Sequence, residues 1–149
     1  MGRKDQIRVE PDREPRAQCA ALPWRRAADG AVEVLLITSR ETRRWVVPKG
    51  WPMKGLTSAE TAAREAFEEA GVEGVTGGKK LGVYHYDKRL RSGRLQHVRV
   101  SVYALEVLRE LDAWPEQGQR EHLWTSPRDA AERVDEPDLG RLIAGFAPV

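Results

Sequence analysis

Residues 50–72 read Gly50-Trp51-Pro52-Met53-Lys54-Gly55-Leu56-Thr57-Ser58-Ala59-Glu60-Thr61-Ala62-Ala63-Arg64-Glu65-Ala66-Phe67-Glu68-Glu69-Ala70-Gly71-Val72. The first part is a loop stiffened by Pro52 and punctuated by Gly50 and Gly55. The second part is a helix. Thr57 and Glu60 have the spacing of a capping box, with Thr57 as N-cap. The helix is expected to run to Ala70, and Gly71 suits the left-handed residue that ends it. Ala59, Ala63, Ala66 and Ala70 fall on one narrow face and let the helix approach a sheet closely. At about 100° per residue, the carboxylates of Glu65, Glu68 and Glu69 fall within an arc of about 100°. Like charges at these spacings repel, and in the second half of a helix the macrodipole disfavours anions. Two readings follow: a solvated acidic face, or a site for a hard divalent cation such as Mg²⁺ or Mn²⁺, which prefers oxygen ligands.

Moving outward, Gln18–Trp24 reads as a short strand. Val32–Thr38 is β-branched and largely apolar, so it is expected to be buried on both faces. Trp45–Val47 is a short strand stopped by Pro48. Beyond Gly77-Gly78, Lys80–Tyr86 and Gln96–Val107 read as two strands of a hairpin, and Glu121–Trp124 as another short strand. Ser126-Pro127 starts a helix, with serine as cap and proline at the tolerated first position. Asp138–Phe146 carries Leu139, Leu142, Ile143 and Phe146 at helical spacing. Strands, a helix, more strands and more helices give an α/β or α+β fold, a mixed sheet covered by helices.

Charge is distributed unevenly. The 149 residues carry a net charge of only +2. Yet Lys79, Lys80, Lys88, Arg89, Arg91, Arg94 and Arg99 face a single acid, Asp87, between positions 79 and 99. Such a segment is either a solvated hairpin tip or a polyanion-binding surface, for phosphorylated small molecules or nucleic acid. Length suits one domain with a proper core. Residues 1–15, charged and bearing Pro11 and Pro15, are expected to form a flexible arm before a single domain at 16–149. The charged fraction of 32% and a mean hydropathy of −0.59 fit a soluble protein without a membrane span or secretory signal. The lone Cys19 excludes an internal disulfide framework and a multi-cysteine zinc site, and a reducing, cytoplasmic setting is expected.

Loop and helix together resemble the Nudix box: Gly, five residues, Glu, seven residues, then Arg-Glu-hydrophobic-any-Glu-Glu-any-Gly-hydrophobic. Gly50, Arg64, Glu65, Glu68, Glu69, Gly71 and Val72 match it in register over 23 residues. Leu56 stands at the first glutamate of the pattern, and the small Ala66 at a hydrophobic position. In this family the first glutamate is usually less central than the later ones. The segments 15–20, 34–52 and 80–130 also resemble bacterial proteins related to diphosphoinositol polyphosphate phosphohydrolases.

The resemblance implies a Nudix-type α/β/α sandwich with a mixed central sheet. It also implies a Mg²⁺-dependent pyrophosphohydrolase, Mn²⁺ being an alternative ion, acting on a phosphorylated small molecule rather than on nucleic acid or a membrane. Diphosphoinositol and diadenosine polyphosphates are the expected substrates. The alternatives are a nucleotide-pool or RNA 5′-end pyrophosphohydrolase, and a catalytically weakened polyanion-binding module marked by Leu56. Glu65, Glu68, Glu69 and the Gly50 carbonyl are the implied metal ligands, with Arg64 orienting a carboxylate. Glu68 or Glu69 would activate water; Glu116 or Glu121 from a later loop is the other source of a base. Arg16, Arg40, Lys49, Lys88, Arg89, Arg91 and Arg94 are the implied phosphate contacts, with His97 at the rim.

Overall fold

The computed structural model describes residues 16–148, so the expected N-terminal arm, residues 1–15, lies outside the described residues. The elements in order are β1 (Arg16–Arg26), β2 (Val32–Thr38), β3 (Trp45–Val46), β4 (Lys49–Gly50), α1 (Ser58–Ala70), β5 (Val72–Thr76), β6 (Gly82–Arg89), β7 (Leu95–Glu110), β8 (His122–Thr125), α2 (Pro127–Arg133) and α3 (Pro137–Ala144). Among the described residues these strands form one mixed sheet. Its spine is β1 lying parallel to β7, from Arg16 opposite Val98 to Trp24 opposite Glu106. Every other pairing is antiparallel: β1 with β2 and β4, β2 with β3 and β8, and β7 with β5 and β6.

Alternation along the central strands makes two cores. Cys19, Ala21, Leu35 and Ile37 face α1, packing on Ala59, Ala62, Ala66 and Ala70. Ala20, Leu22, Val34 and Leu36 face the other way, against Ala130 of α2 and Leu139 and Ile143 of α3. This is the expected α/β/α sandwich, and β2 is buried on both faces as its composition requires. One detail of α1 differs. Ala62 sits in the core, while Ala63 is only partly buried. The buried face also takes in Thr61, Glu65 and Glu69, so it is wider than the alanine stripe and is centred to one side of it.

The caps of α1 are as read. Thr57 accepts from the Glu60 amide, and the Glu60 side chain accepts from the Thr57 amide. Gly71 stops the helix at φ 68°, where a Cβ would lie 2.3 Å from the Trp114 ring. Two strands escaped the sequence reading. β4 is only two residues long. β5 carries a bulge between Glu73 and Gly74, where a Cβ on Gly74 would meet the Glu106 carbonyl oxygen at 1.7 Å. A glycine used for close approach breaks the alternation that announces a strand. The β6–β7 hairpin forms as expected, but Lys88 and Arg89 belong to its paired part, opposite Gln96 and Leu95. Only Leu90–Arg94 make the tip.

Candidate active site

Residues 51–57 lead from β4 directly into α1, and Gly50 at the end of β4 lies against the helix. Gly50 pairs with Cys19 of the central strand, which fixes its height on the sheet. A Cβ there would stand 2.1 Å from Glu65 Oε2, so the carboxyl occupies the space that glycine leaves. Glu65 and Glu69 are both 9% exposed. Burial first, then the charge of Glu69 and a hydrogen bond to it, push the Glu65 carboxyl up to about 8. Burial also raises Glu69, opposed by the charges of Arg120 and Lys49. The Lys49 amide donates to Glu69 Oε1 at 3.3 Å. Lys49 itself is lowered, by burial before any charge.

Arg120 ties the site to the segment before β8. Its Nη2 lies 2.9 Å from Glu116 Oε1 and 3.8 Å from Glu69 Oε2, and its Nη1 donates to the Thr38 carbonyl at 3.1 Å. The Glu116 amide donates to the Glu68 carbonyl at 3.0 Å, docking this segment on α1. Sequence reading gave Arg120 little weight: its partner Glu116 is four positions away, but Thr38 and Glu69, which bring it to the site, lie 82 and 51 positions away and no local pattern links them. Of the two later glutamates, Glu116 is drawn beside Glu69, whereas exposed Glu121 pairs with Arg43 at 3.1 Å. Glu68 turns outward: its Oε2 takes Arg64 Nε at 3.0 Å. Accordingly, no three His, Cys, Asp or Glu side chains among the described residues close into a ready metal-ligand set.

A cleft of about 580 Å³ opens over these groups. Its wall brings together Arg40, Lys49, Gly50, Glu65, Glu69, Lys88, Arg89 and Arg120. Arg16 stands at its edge, its guanidinium 5.2 Å over the ring of Trp51, itself a wall residue. Arg91 and Arg94 are exposed and lie outside the lining. His97 is also outside it, held by Asp87 at 2.9 Å. Leu56 is 41% exposed and does not line the cleft. Buried Cys19 is raised by burial, which suits an inert thiol.

The NUDIX domain family matches residues 16–146. This chain belongs to the Nudix family. It is 36% identical to Nudix hydrolase 13, mitochondrial, of Arabidopsis thaliana over 109 residues, which is 70% of this chain and 54% of that protein. It is also 36% identical to diphosphoinositol polyphosphate phosphohydrolase 2 of Rattus norvegicus over 125 residues, 78% of this chain and 65% of that protein. The chain thus spans about half to two thirds of the length of these relatives. An Ap4A hydrolase from C. elegans shares the fold, with a TM-score of 0.62 at 19% identity over 88% of this chain and 95% of that one. A NUDIX hydrolase from Nitrosomonas europaea does so with a TM-score of 0.65 at 17% identity, over 88% and 87%. Among the described residues no helix is long and apolar enough to cross a membrane.

The Nudix site suits a hard cation. Glu65 and Glu69 present hard oxygen donors in contact, in space that a side chain at position 50 would fill, and a cation would relieve the charge of Glu69 that helps raise Glu65. Mg²⁺ is commonly held by one or two carboxylates, with water and substrate phosphate completing its shell, so Glu68 need not converge.

Proposed function

We propose that this Nudix protein is a Mg²⁺-dependent pyrophosphohydrolase acting on a highly phosphorylated small molecule, a diphosphoinositol polyphosphate or a diadenosine polyphosphate. The observation that carries this reading is the cleft itself: two buried carboxyls, Glu65 and Glu69, share one cavity with Arg40, Lys49, Lys88, Arg89 and Arg120. The names of the rat and nematode relatives support the same substrate class.

Glu65, Glu69 and the Gly50 carbonyl would hold the ion, which supplies charge neutralisation for the phosphoanhydride oxygens. Glu69, made more basic by burial, accepts the proton of the attacking water. Lys49 and Arg120, whose charges act on Glu69, stabilise the anion before transfer and the phosphate charge after it. Arg40, Lys88 and Arg89 bind the remaining phosphates, arginine through paired N–H groups. The compartment we propose is a reducing one, in keeping with the lone, buried thiol of Cys19.

Phosphate release should be compared across diphosphoinositol pentakisphosphate, diadenosine tetraphosphate, nucleoside triphosphates and ADP-ribose, with and without Mg²⁺. The expected result is Mg²⁺-dependent release with the highest kcat/KM on the most charged substrates. No Mg²⁺-dependent release from any of them, or a preference for ADP-ribose, would overturn the reading.

A further inference from the structure

Arg44 ends the loop between β2 and β3 and lines the cleft beside Lys49, Tyr86, Glu65 and Glu69. Its backbone is pinned. The Ser39 amide donates to the Arg44 carbonyl at 2.9 Å, and the Arg44 amide donates to Ser39 Oγ at 3.3 Å. Its guanidinium is held from behind: Nη1 lies 2.7 Å from Glu136 Oε2 and 3.8 Å from Asp135 Oδ2.

Glu136 comes from the junction between α2 and α3. It stands at the N-cap of α3, yet its side chain makes no capping bond and reaches to Arg44 instead. A bridge between Trp45 and Val134 holds this junction against β3. The Glu136 side chain is only 10% exposed, and its Oε1 is buried without a hydrogen-bond partner among the described residues. Burying a carboxylate is costly unless it is fully paired. A pair built only for stability would close the two-pronged fork that arginine and carboxylate form so readily. Here one oxygen takes a single nitrogen of Arg44. Apart from the longer contact of Nη1 with Asp135, the remaining guanidinium N–H groups make no hydrogen bond to the described residues, and the side chain is 31% exposed at the cleft wall.

We propose that Arg44 binds a substrate phosphate and that Glu136 is its positioning residue, rotating the guanidinium so that its unused N–H groups face the cleft. The proposal rests on the functional reading above. Attraction falls with distance, so a phosphate touching the guanidinium gains more than it loses to the carboxylate behind it. A lysine replaces this arrangement only in part, because its ammonium is a point charge without the flat fork that turns one edge to the carboxylate and another to the phosphate.

Two readouts test it: KM and kcat for diadenosine tetraphosphate with Mg²⁺, and the calorimetric Kd for inorganic tripolyphosphate without metal. They are compared for the native chain, Arg44→Ala, Arg44→Lys, Glu136→Gln and the Arg44→Ala/Glu136→Gln double variant, each with its unfolding midpoint. Arg44→Ala should raise KM and Kd about 10- to 100-fold with kcat changed only a few-fold. Glu136→Gln should raise both constants about 3- to 10-fold, and should add nothing once Arg44 is gone. Arg44→Lys should recover only part of the loss. Should Arg44→Ala fail to fold, Arg44→Lys and Glu136→Gln carry the same comparison. The proposal is overturned if Glu136→Gln tightens binding, if the two losses add, or if the variants lower only the unfolding midpoint. If the native chain turns over no substrate, the functional reading fails while the tripolyphosphate constants still decide this one.

Discussion

The acidic wall of the cleft and the tip of the basic hairpin are built on opposite terms. At the acidic wall atoms are crowded: a Cβ on Gly50 would stand 2.1 Å from Glu65 Oε2, and Glu69 accepts from the Lys49 amide while lying 3.8 Å from Arg120. The hairpin tip is open: a Cβ on Gly93 would meet nothing within 4 Å, and Arg91 is exposed to solvent. Position is therefore enforced by packing where chemistry needs it. Where charge attracts a polyanion it is left loose, because a field sums over many groups and tolerates the displacement of any one.

The contrast can be broken most severely at Gly50. Gly50→Ala places a methyl group where the Glu65 carboxyl now sits. The clash is with the far end of a flexible side chain, so the fold should survive while the carboxyl moves. Turnover should fall about 100-fold or more, since a shift of about 1 Å is enough for that. Native circular dichroism with lost phosphate release is the expected result; near-native turnover would mean that the contact does not matter.

A pair of glycines sharpens the same contrast in stability. Both Gly71 and Gly93 have positive φ, 68° and 91°. Gly71→Ala adds a clash with the Trp114 ring and should cost about 2–4 kcal/mol in chemical denaturation. Gly93→Ala meets open space, bears only the backbone penalty, and should cost about 1–2 kcal/mol. Equal losses would contradict the packing difference.

Within the basic hairpin, Arg89 lines the cleft and Arg91 does not. Arg89→Ala should raise KM for a diadenosine or inositol polyphosphate about tenfold. Arg91→Ala should change it by less than about twofold at physiological salt, where exposed charges are screened over about 8 Å. Equal effects of the two would make the tip a diffuse field with no contact at all.

A different kind of effect is expected in pH dependence. The Glu65 carboxyl, raised to about 8, is easier to protonate folded than unfolded. That preference stabilises the metal-free protein at low pH and is lost as pH rises through about 8. The unfolding midpoint without metal should therefore decline between about pH 5 and 8.5. Saturating Mg²⁺, which displaces the proton, should flatten the decline. Glu65→Gln should remove most of the slope; a midpoint rising over this range would contradict the burial of the pair.

Much of this was legible in the chain. Thr57, Glu60 and Gly71 bound α1 as their chemistry requires, and the spacing of Glu65 and Glu69 placed them together on one helix face. What escaped depends on contacts distant in sequence. Glu68 shares that face by spacing, but Arg64 one turn earlier draws it outward. Arg44 is held by Glu136, 92 positions away, and Arg120 is brought to Glu69, 51 positions away, and no periodicity encodes either contact. The run from Lys88 to Arg94 read as one basic loop, yet strand pairing keeps Lys88 and Arg89 in the cleft wall and leaves Arg91 outside.

Glu69→Gln tests the central claim most directly. The change removes one negative charge and keeps the shape, so a folded variant isolates the role of the carboxylate on which the charges of Lys49 and Arg120 act. Phosphate release from diadenosine tetraphosphate should be followed across a Mg²⁺ titration for the native chain and this variant. The expected result is a loss of at least about 100-fold in kcat that excess Mg²⁺ does not restore. A folded Glu69→Gln protein with native kcat would contradict the assignment of chemistry to this site.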